Sequence, residues 1–175
     1  INLLVPADMP VLAAPFPDDY LLSVLVNGQF VAENIVSIAA VAPAFFTADT
    51  SGQGLPAAVV FRLKADGTQS YEALAEFDPT QNRFVPKPID LGPETDQVFL
   101  LLFGTGIRGR TSLDAVTMKI GGVNVPVSFA SAQGDFVGLD QVNVQLPRGL
   151  KGKGAVTINC SVDTRNANPV TVTIK

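Results

Sequence analysis

Histidine and tryptophan are absent from this chain, and cysteine occurs once. Without histidine there is no Ser-His-Asp triad, no Cys-His dyad, no histidine zinc site and no histidine-ligated haem. A single thiol also excludes an internal disulfide and a cysteine-cluster metal site. Charge is scarce: Asp, Glu, Lys and Arg make up 16%, below the usual quarter. The balance is −4, with a pI near 4.7, which argues against nucleic acid as a partner. No uninterrupted apolar run approaches the roughly 18 residues of a membrane-crossing helix, so no membrane insertion is expected.

Apolar residues are plentiful, at 47% of 175 residues, enough for a sizeable core and too many for a disordered chain. Fifteen glycines and 13 prolines cut the chain into short pieces. Charge is uneven: residues 1–87 carry 4 basic and 9 acidic side chains, residues 88–175 carry 8 and 7. The start at Ile1, with no leader pattern, reads as a mature or trimmed product.

The hydrophobic period is two almost throughout. Val156, Ile158, Cys160 and Val162 alternate with Thr157, Asn159 and Ser161. Val170–Ile174, Val116–Ile120, Val123–Phe129 and Val142–Leu146 alternate in the same way, predicting antiparallel strands with one wet face. Val98–Phe103 is apolar throughout and predicts a central strand covered on both sides. Tyr71–Phe77 fits either a strand or two helical turns and is read as a strand. Turn pairs such as Asn27-Gly28, Asp66-Gly67 and Gly121-Gly122 lie between the runs. The expected fold is all-β, made of β-sandwich modules.

The chain also repeats itself. Ile1-Asn2-Leu3-Leu4-Val5-Pro6 matches Val142-Asn143-Val144-Gln145-Leu146-Pro147, Leu21–Asn27 matches Val156–Asp163, and Ala32–Ile38 matches Ala167–Val172. Residues 1–41 therefore read as the last three strands of a unit whose complete copy is residues 42–175. Three strands in about 40 residues cannot bury enough surface to stand alone. One expected outcome is donor-strand completion by another copy, with Ile1, Leu3, Val5, Leu22, Val24 and Val26 as the assembly residues. Such a one-way contact propagates into a filament. The expected partners are copies of the chain or neighbouring domains of a larger surface protein; the alternative is a monomeric module showing loops to glycans or proteins.

Four motifs occur in order: Val41-Ala42-Pro43-Ala44-Phe45-Phe46-Thr47-Ala48, Phe103-Gly104-Thr105-Gly106-Ile107, Ile120-Gly121-Gly122-Val123, and Phe136-Val137-Gly138-Leu139-Asp140-Gln141-Val142-Asn143-Val144-Gln145-Leu146-Pro147. Together they resemble the Solibacter-type uncharacterised C-terminal domain of large secreted bacterial surface proteins. The resemblance implies an extracellular immunoglobulin-like β-sandwich and no assigned activity, so no catalytic residue carries over. Residues between Thr47 and Asp96 follow the family pattern less distinctly.

Several local patterns carry residue types that chemistry uses. Gly104-Thr105-Gly106-Ile107-Arg108-Gly109 spells G-x-G-x-x-G after a strand, but the strand Val116–Ile120 leaves no room for the phosphate-binding helix that motif needs. Cys160 lies on an inward stripe and has no histidine to activate it, which predicts an inert thiol. The carboxylate pairs Asp18-Asp19, Glu72/Glu76 and Asp135/Asp140 read as solvated acids rather than a glycosidase pair. Asp49-Thr50-Ser51-Gly52 and Asp78-Pro79-Thr80-Gln81-Asn82 carry calcium-type oxygens but read as turns, and no cofactor is expected. Arg148, Lys151 and Lys153 read as a solvated basic tip. Gly138–Asn143 reads as a bend whose amide side chains bond the backbone.

Overall fold

Asn27 and Gly28, at φ 52° and 75°, form a two-residue turn whose twist matches that of its flanking strands. It joins β1 (Asp19–Val26) to β2 (Gln29–Ser37) in an antiparallel ribbon. The computed structural model describes residues 3–6, 8–10 and 19–175. The chain divides into two units, residues 1–40 and 41–175, with the β1–β2 ribbon in the first.

The second unit is a two-sheet antiparallel β-sandwich. In chain order its strands are β3 (Ala44–Phe45), β4 (Ala58–Leu63), β5 (Gln69–Ala73), β6 (Ala75–Asp78), β7 (Arg83–Pro86), β8 (Gln97–Thr105) and β9 (Val116–Ile120). Then follow β10 (Val123–Val125), β11 (Val127–Ala132), β12 (Asp140–Gln145), β13 (Gly154–Val162), β14 (Arg165–Asn166) and β15 (Val170–Ile174). One sheet runs β10-β9-β13-β14, with β15 also on β13; the other runs β11-β12-β8-β4-β5, with β3 on β8. β6 and β7 form a separate hairpin. The core lies between the sheets: Val98, Leu100 and Leu102 from β8, Val142 and Val144 from β12, and Ile158, Cys160 and Val162 from β13 are buried.

The two outer faces differ. The β9-β13-β15 sheet shows Thr117, Lys119, Thr157, Asn159 and Ser161 outward, the polar stripe that the period of two predicts. The other sheet is half-apolar outside. Tyr71, Phe61 and Phe99 stand in one cross-strand row, with ring centroids 5.1 and 5.9 Å apart.

Three expected strands differ from the structure. Val123–Phe129 is not one strand: Pro126 has no N–H to give to a ladder, so the chain breaks there. β10 pairs with β9 and β11 crosses to β12 in the opposite sheet. Tyr71–Phe77 is extended but divides at Leu74, whose buried side chain turns inward between β5 and β6. In residues 1–41, the described part holds two strands rather than three. Leu3 and Val5 are exposed and outside any strand, and Ile1 lies outside the described residues. The matching β12 is held between β11 and β8; no such neighbours occur among the described residues of the first unit, so Leu3–Val5 has no ladder to join.

Candidate functional site

The internal repeat survives as geometry. β1 and β2 pair as Leu22↔Asn34, Leu21↔Ile35, Tyr20↔Val36 and Asp19↔Ser37. β13 and β15 pair as Ile158↔Val170, Thr157↔Thr171, Val156↔Val172 and Ala155↔Thr173. Every counterpart lies at one fixed offset (158 − 22 and 170 − 34 are both 136). The turns agree too: Asp163 and Thr164, at φ 46° and 70°, stand where Asn27 and Gly28 stand. This register corrects the expected match of Ala32 with Ala167 by one residue. Ala32 corresponds to Asn168, because the turn, not the shared alanine, fixes the pairing.

What surrounds the two ribbons is different. On the inner stripe of β13, Val156, Ile158, Cys160 and Val162 are 7%, 0%, 3% and 0% exposed. Their counterparts Tyr20, Leu22 and Val24 are half-buried, and Val26 is 52% exposed. Outside, β13 and β15 carry Thr157, Asn159, Ser161, Thr171 and Thr173, whereas β1 and β2 carry Leu21 (64% exposed), Leu25 (58%) and Ile35 (65%) among polar neighbours. The first ribbon is therefore apolar on both faces. β13 also receives β9 on its second edge, from Ile158↔Ile120 to Val162↔Val116. Among the described residues nothing pairs with that edge of β1, so its outward N–H and C=O groups form a template for another strand.

Local hydrogen bonds hold the ribbon in shape. Ser23 Oγ donates to Glu33 Oε1 at 2.7 Å and Ser37 Oγ to Asp19 Oδ1 at 2.5 Å, both across the strands. Tyr20 Oη donates to the Pro10 carbonyl. The charged residues of 1–40 are Asp8, Asp18, Asp19 and Glu33, all acidic. Of the six expected assembly residues, Leu22, Val24 and Val26 share the inner face of β1, Leu3 and Val5 lie outside it, and Ile1 is not described.

The other sequence patterns resolve into structural roles. A turn and β9 follow Gly104–Gly109. A side chain on Gly104 or Gly106 would collide with the Ala44 or Ala42 carbonyl, and Gly106 has φ 71°. The two glycines let residues 42–45 lie against β8, with Ala42 N donating to Gly106 O at 3.0 Å. Cys160 is buried, and loss of solvation pushes its thiol up to about 12. Asp49 accepts from Ser51 N and Oγ at 3.1 and 2.7 Å, and the Ser51 hydroxyl bond chiefly holds its carboxyl below the ordinary value. Asp78 accepts from Gln81 Nε2 at 2.6 Å and Thr80 N at 2.8 Å, with the same effect, led by Gln81. Both are Asx-type turns, and no grouping of three or more metal-binding side chains occurs among the described residues.

Three expectations about charged residues are corrected. Asp140 is fully buried rather than solvated. Its carboxylate accepts from Ile107 N (2.7 Å), Arg108 N (3.1 Å) and Arg108 Nε (2.5 Å), tying the Gly104–Gly109 turn to β12. It bonds the backbone in the role expected of the amides, while Gln141 Nε2 donates to Asn143 Oδ1 at 2.7 Å. Glu72 is paired with the buried Arg62 of β4 at 2.6 Å, and Arg62 also reaches Asp96 at 3.3 Å; a buried guanidinium needs such partners. Arg148 is not part of a solvated tip: its guanidinium donates to the carbonyls of Leu91, Gly92 and Asp96. Lys151 and Lys153 remain exposed.

Asn168 was not singled out by sequence reasoning. Its amide accepts from Phe45 N at 2.7 Å and donates to Phe45 O at 3.1 Å and Gly52 O at 2.7 Å, completing the pairing of β3 from a distant loop. Arg62 had a signal: it is the one charged residue of β4, on the parity of the buried Val60.

No family model, no curated protein and no solved structure matches this chain.

Proposed function

We propose that the chain is a non-enzymatic, extracellular structural subunit that joins another chain by completing the open β1–β2 sheet. The observation that carries this reading is the pair of ribbons in one register. β13 is closed by β9 and covered within the sandwich, whereas among the described residues nothing pairs with the second edge of β1, whose outer face carries leucines. Exposed apolar edges of this kind drive association by strand addition. The non-enzymatic part is supported by the groups that could have done chemistry: Cys160 is buried and neutral, and Asp140 and Glu72 are taken up by arginines. The extracellular, immunoglobulin-like part rests on the four family-like motifs.

Sedimentation velocity of the full chain over a range of concentrations tests the reading. The expected result is association that Leu25→Lys abolishes while far-UV circular dichroism stays unchanged. A monomer at every concentration overturns it.

A second reading is a monomeric binding module for glycans or proteins. It is favoured by the Tyr71–Phe61–Phe99 row on the outer face of the larger sheet, with Tyr71 70% exposed. Aromatic faces of this kind stack on apolar ligand surfaces. This reading expects the monomer and a ligand lost with Tyr71→Ala.

A further inference from the structure

Resting on the self-association reading, we infer that the strand completing β1 is β1 of a second copy, antiparallel and centred on Ser23. The β13–β9 pair shows what the edge requires. Opposite Ile158, Cys160 and Val162 stand Ile120, Met118 and Val116, all apolar. Moved by the fixed offset, the edge of β1 requires apolar residues opposite Leu22, Val24 and Val26.

β1 meets that pattern itself. Read antiparallel about Ser23, Leu22 faces Val24, Tyr20 faces Val26 and Leu21 faces Leu25, each pair occurring twice across the two-fold axis. Inner residues meet inner and outer meet outer, because paired positions share parity. Centring on Leu22 would set Asp19 against Leu25 and Ser23 against Leu21. Centring on Val24 would shorten the overlap. Centring between residues would set one face against the other. The Ser23 register gives the longest overlap without such a conflict.

Charge supports the same register. Residues 1–40 carry acids and no lysine or arginine, so most ways of bringing two copies together oppose carboxylates. Here Asp19 faces Asn27 of the other copy, and the two Asp19 side chains are about eight residues apart, roughly 27 Å at strand spacing. The two Glu33 side chains sit on outer strands, about 14 Å apart at three strand spacings and beyond the Debye length of ~8 Å at physiological salt.

The product is a four-stranded sheet ordered β2-β1-β1-β2. The Leu21–Leu25 pairs extend the Leu21–Ile35 and Leu25–Phe30 pairs of each ribbon into two four-residue apolar rows, one on either side of the central Ser23–Glu33 row. A two-fold contact is self-complementary and closes, so it yields a dimer in place of the one-way donation expected from residues 1–5.

Oxidative cross-linking of the full chain tests the geometry. Cys160 is buried and serves as an internal control, and Ser23 is exposed. On the axis, the two Ser23 Cα atoms are about 4.5–5.5 Å apart, within reach of a disulfide. Ser23→Cys is expected to convert most of the chain to a covalent dimer on non-reducing gels. Leu21→Cys is expected to stay uncross-linked, since its copy lies about 14 Å along the strand. Cross-linking through Leu21→Cys, with or without Ser23→Cys, shows another register or a parallel pair and overturns the inference. Absence of both cross-links, in material whose association Leu25→Lys still abolishes, overturns the inference alone. A chain that stays monomeric in sedimentation overturns the self-association reading with it.

Discussion

The β1–β2 and β13–β15 ribbons share register and turn geometry yet sit in opposite surroundings. In the second ribbon one face is Thr and Asn and the other is buried core. In the first, Leu21 and Ile35 stand where Thr157 and Thr171 are and Leu25 where Ser161 is, at 58–65% exposure. Hydrogen-bonding geometry is thus set locally, by two positive-φ residues and cross-strand pairs, while burial is set by what else arrives. β9 and the facing sheet arrive for β13; among the described residues, nothing takes the place of β9 beside β1. Asn168 sharpens the contrast. In the second unit it reaches across to β3, whereas its counterpart Ala32 has no polar group to extend.

Thiol chemistry tests the contrast most strongly, because Val24 occupies the register position of Cys160. In Val24→Cys the chain carries two thiols in equivalent places. Burial holds the Cys160 thiol up to about 12, so at pH 8 it reacts with an aromatic disulfide roughly a thousandfold more slowly than an ordinary cysteine near 8.5. One fast and one slow thiol is the expected result, the slow one accelerating as pH rises. Because the folded value lies above the unfolded one, the stability contribution is complete below about pH 8.5 and is lost as pH rises towards 12. Two equally slow thiols would show that β1 is covered as β13 is.

Core truncation comes next. Ile158→Ala removes a fully buried side chain and is expected to destabilise the second unit by about 3 kcal/mol. Leu22→Ala, in the half-buried counterpart, is expected to cost less than about 1 kcal/mol. Urea unfolding followed by circular dichroism measures the first and amide exchange in β1 the second. Equal losses would break the comparison.

Much of this was readable in the sequence, and the misses have physical causes. Period two marks β9, β12, β13 and β15 because each faces core on one side only, and the repeat itself stands out as matched strings. β8 also faces core on one side only, but its outer face carries Phe99, Leu101 and Phe103, half-buried where cover on both sides is expected from the sequence. Pro126 was visible but ignored by the alternation, which continues through it while the chain changes sheets. The roles of Asp140, Arg148 and Asn168 were not legible, since each bonds a segment more than 30 positions away. A side chain's partner at that distance is fixed by topology rather than by spacing. Leu3–Val5 failed as a strand for the same reason: its sequence matches β12, but a strand is made by neighbours as much as by its own residues.

The turns give the smallest effect and the most direct check of equivalence. Gly28 has φ 75° and nothing within 4 Å of where a side chain would begin, so Gly28→Ala changes only backbone preference. A left-handed conformation costs an L-residue about 1–2 kcal/mol, partly offset by about 0.5–1 kcal/mol from the stiffer unfolded chain. Amide protection in the ribbon should fall by a net of about 1 kcal/mol, roughly fivefold. Thr164 already bears that penalty at φ 70°, so Thr164→Gly should change sign and raise the melting temperature of the second unit by about 2–4 °C. Opposite signs at positions 136 apart are what one turn geometry built with two different residues requires. If Thr164→Gly lowers the melting temperature instead, the threonine side chain contributes something that Gly28 lacks, and the two turns are equivalent in shape but not in energy.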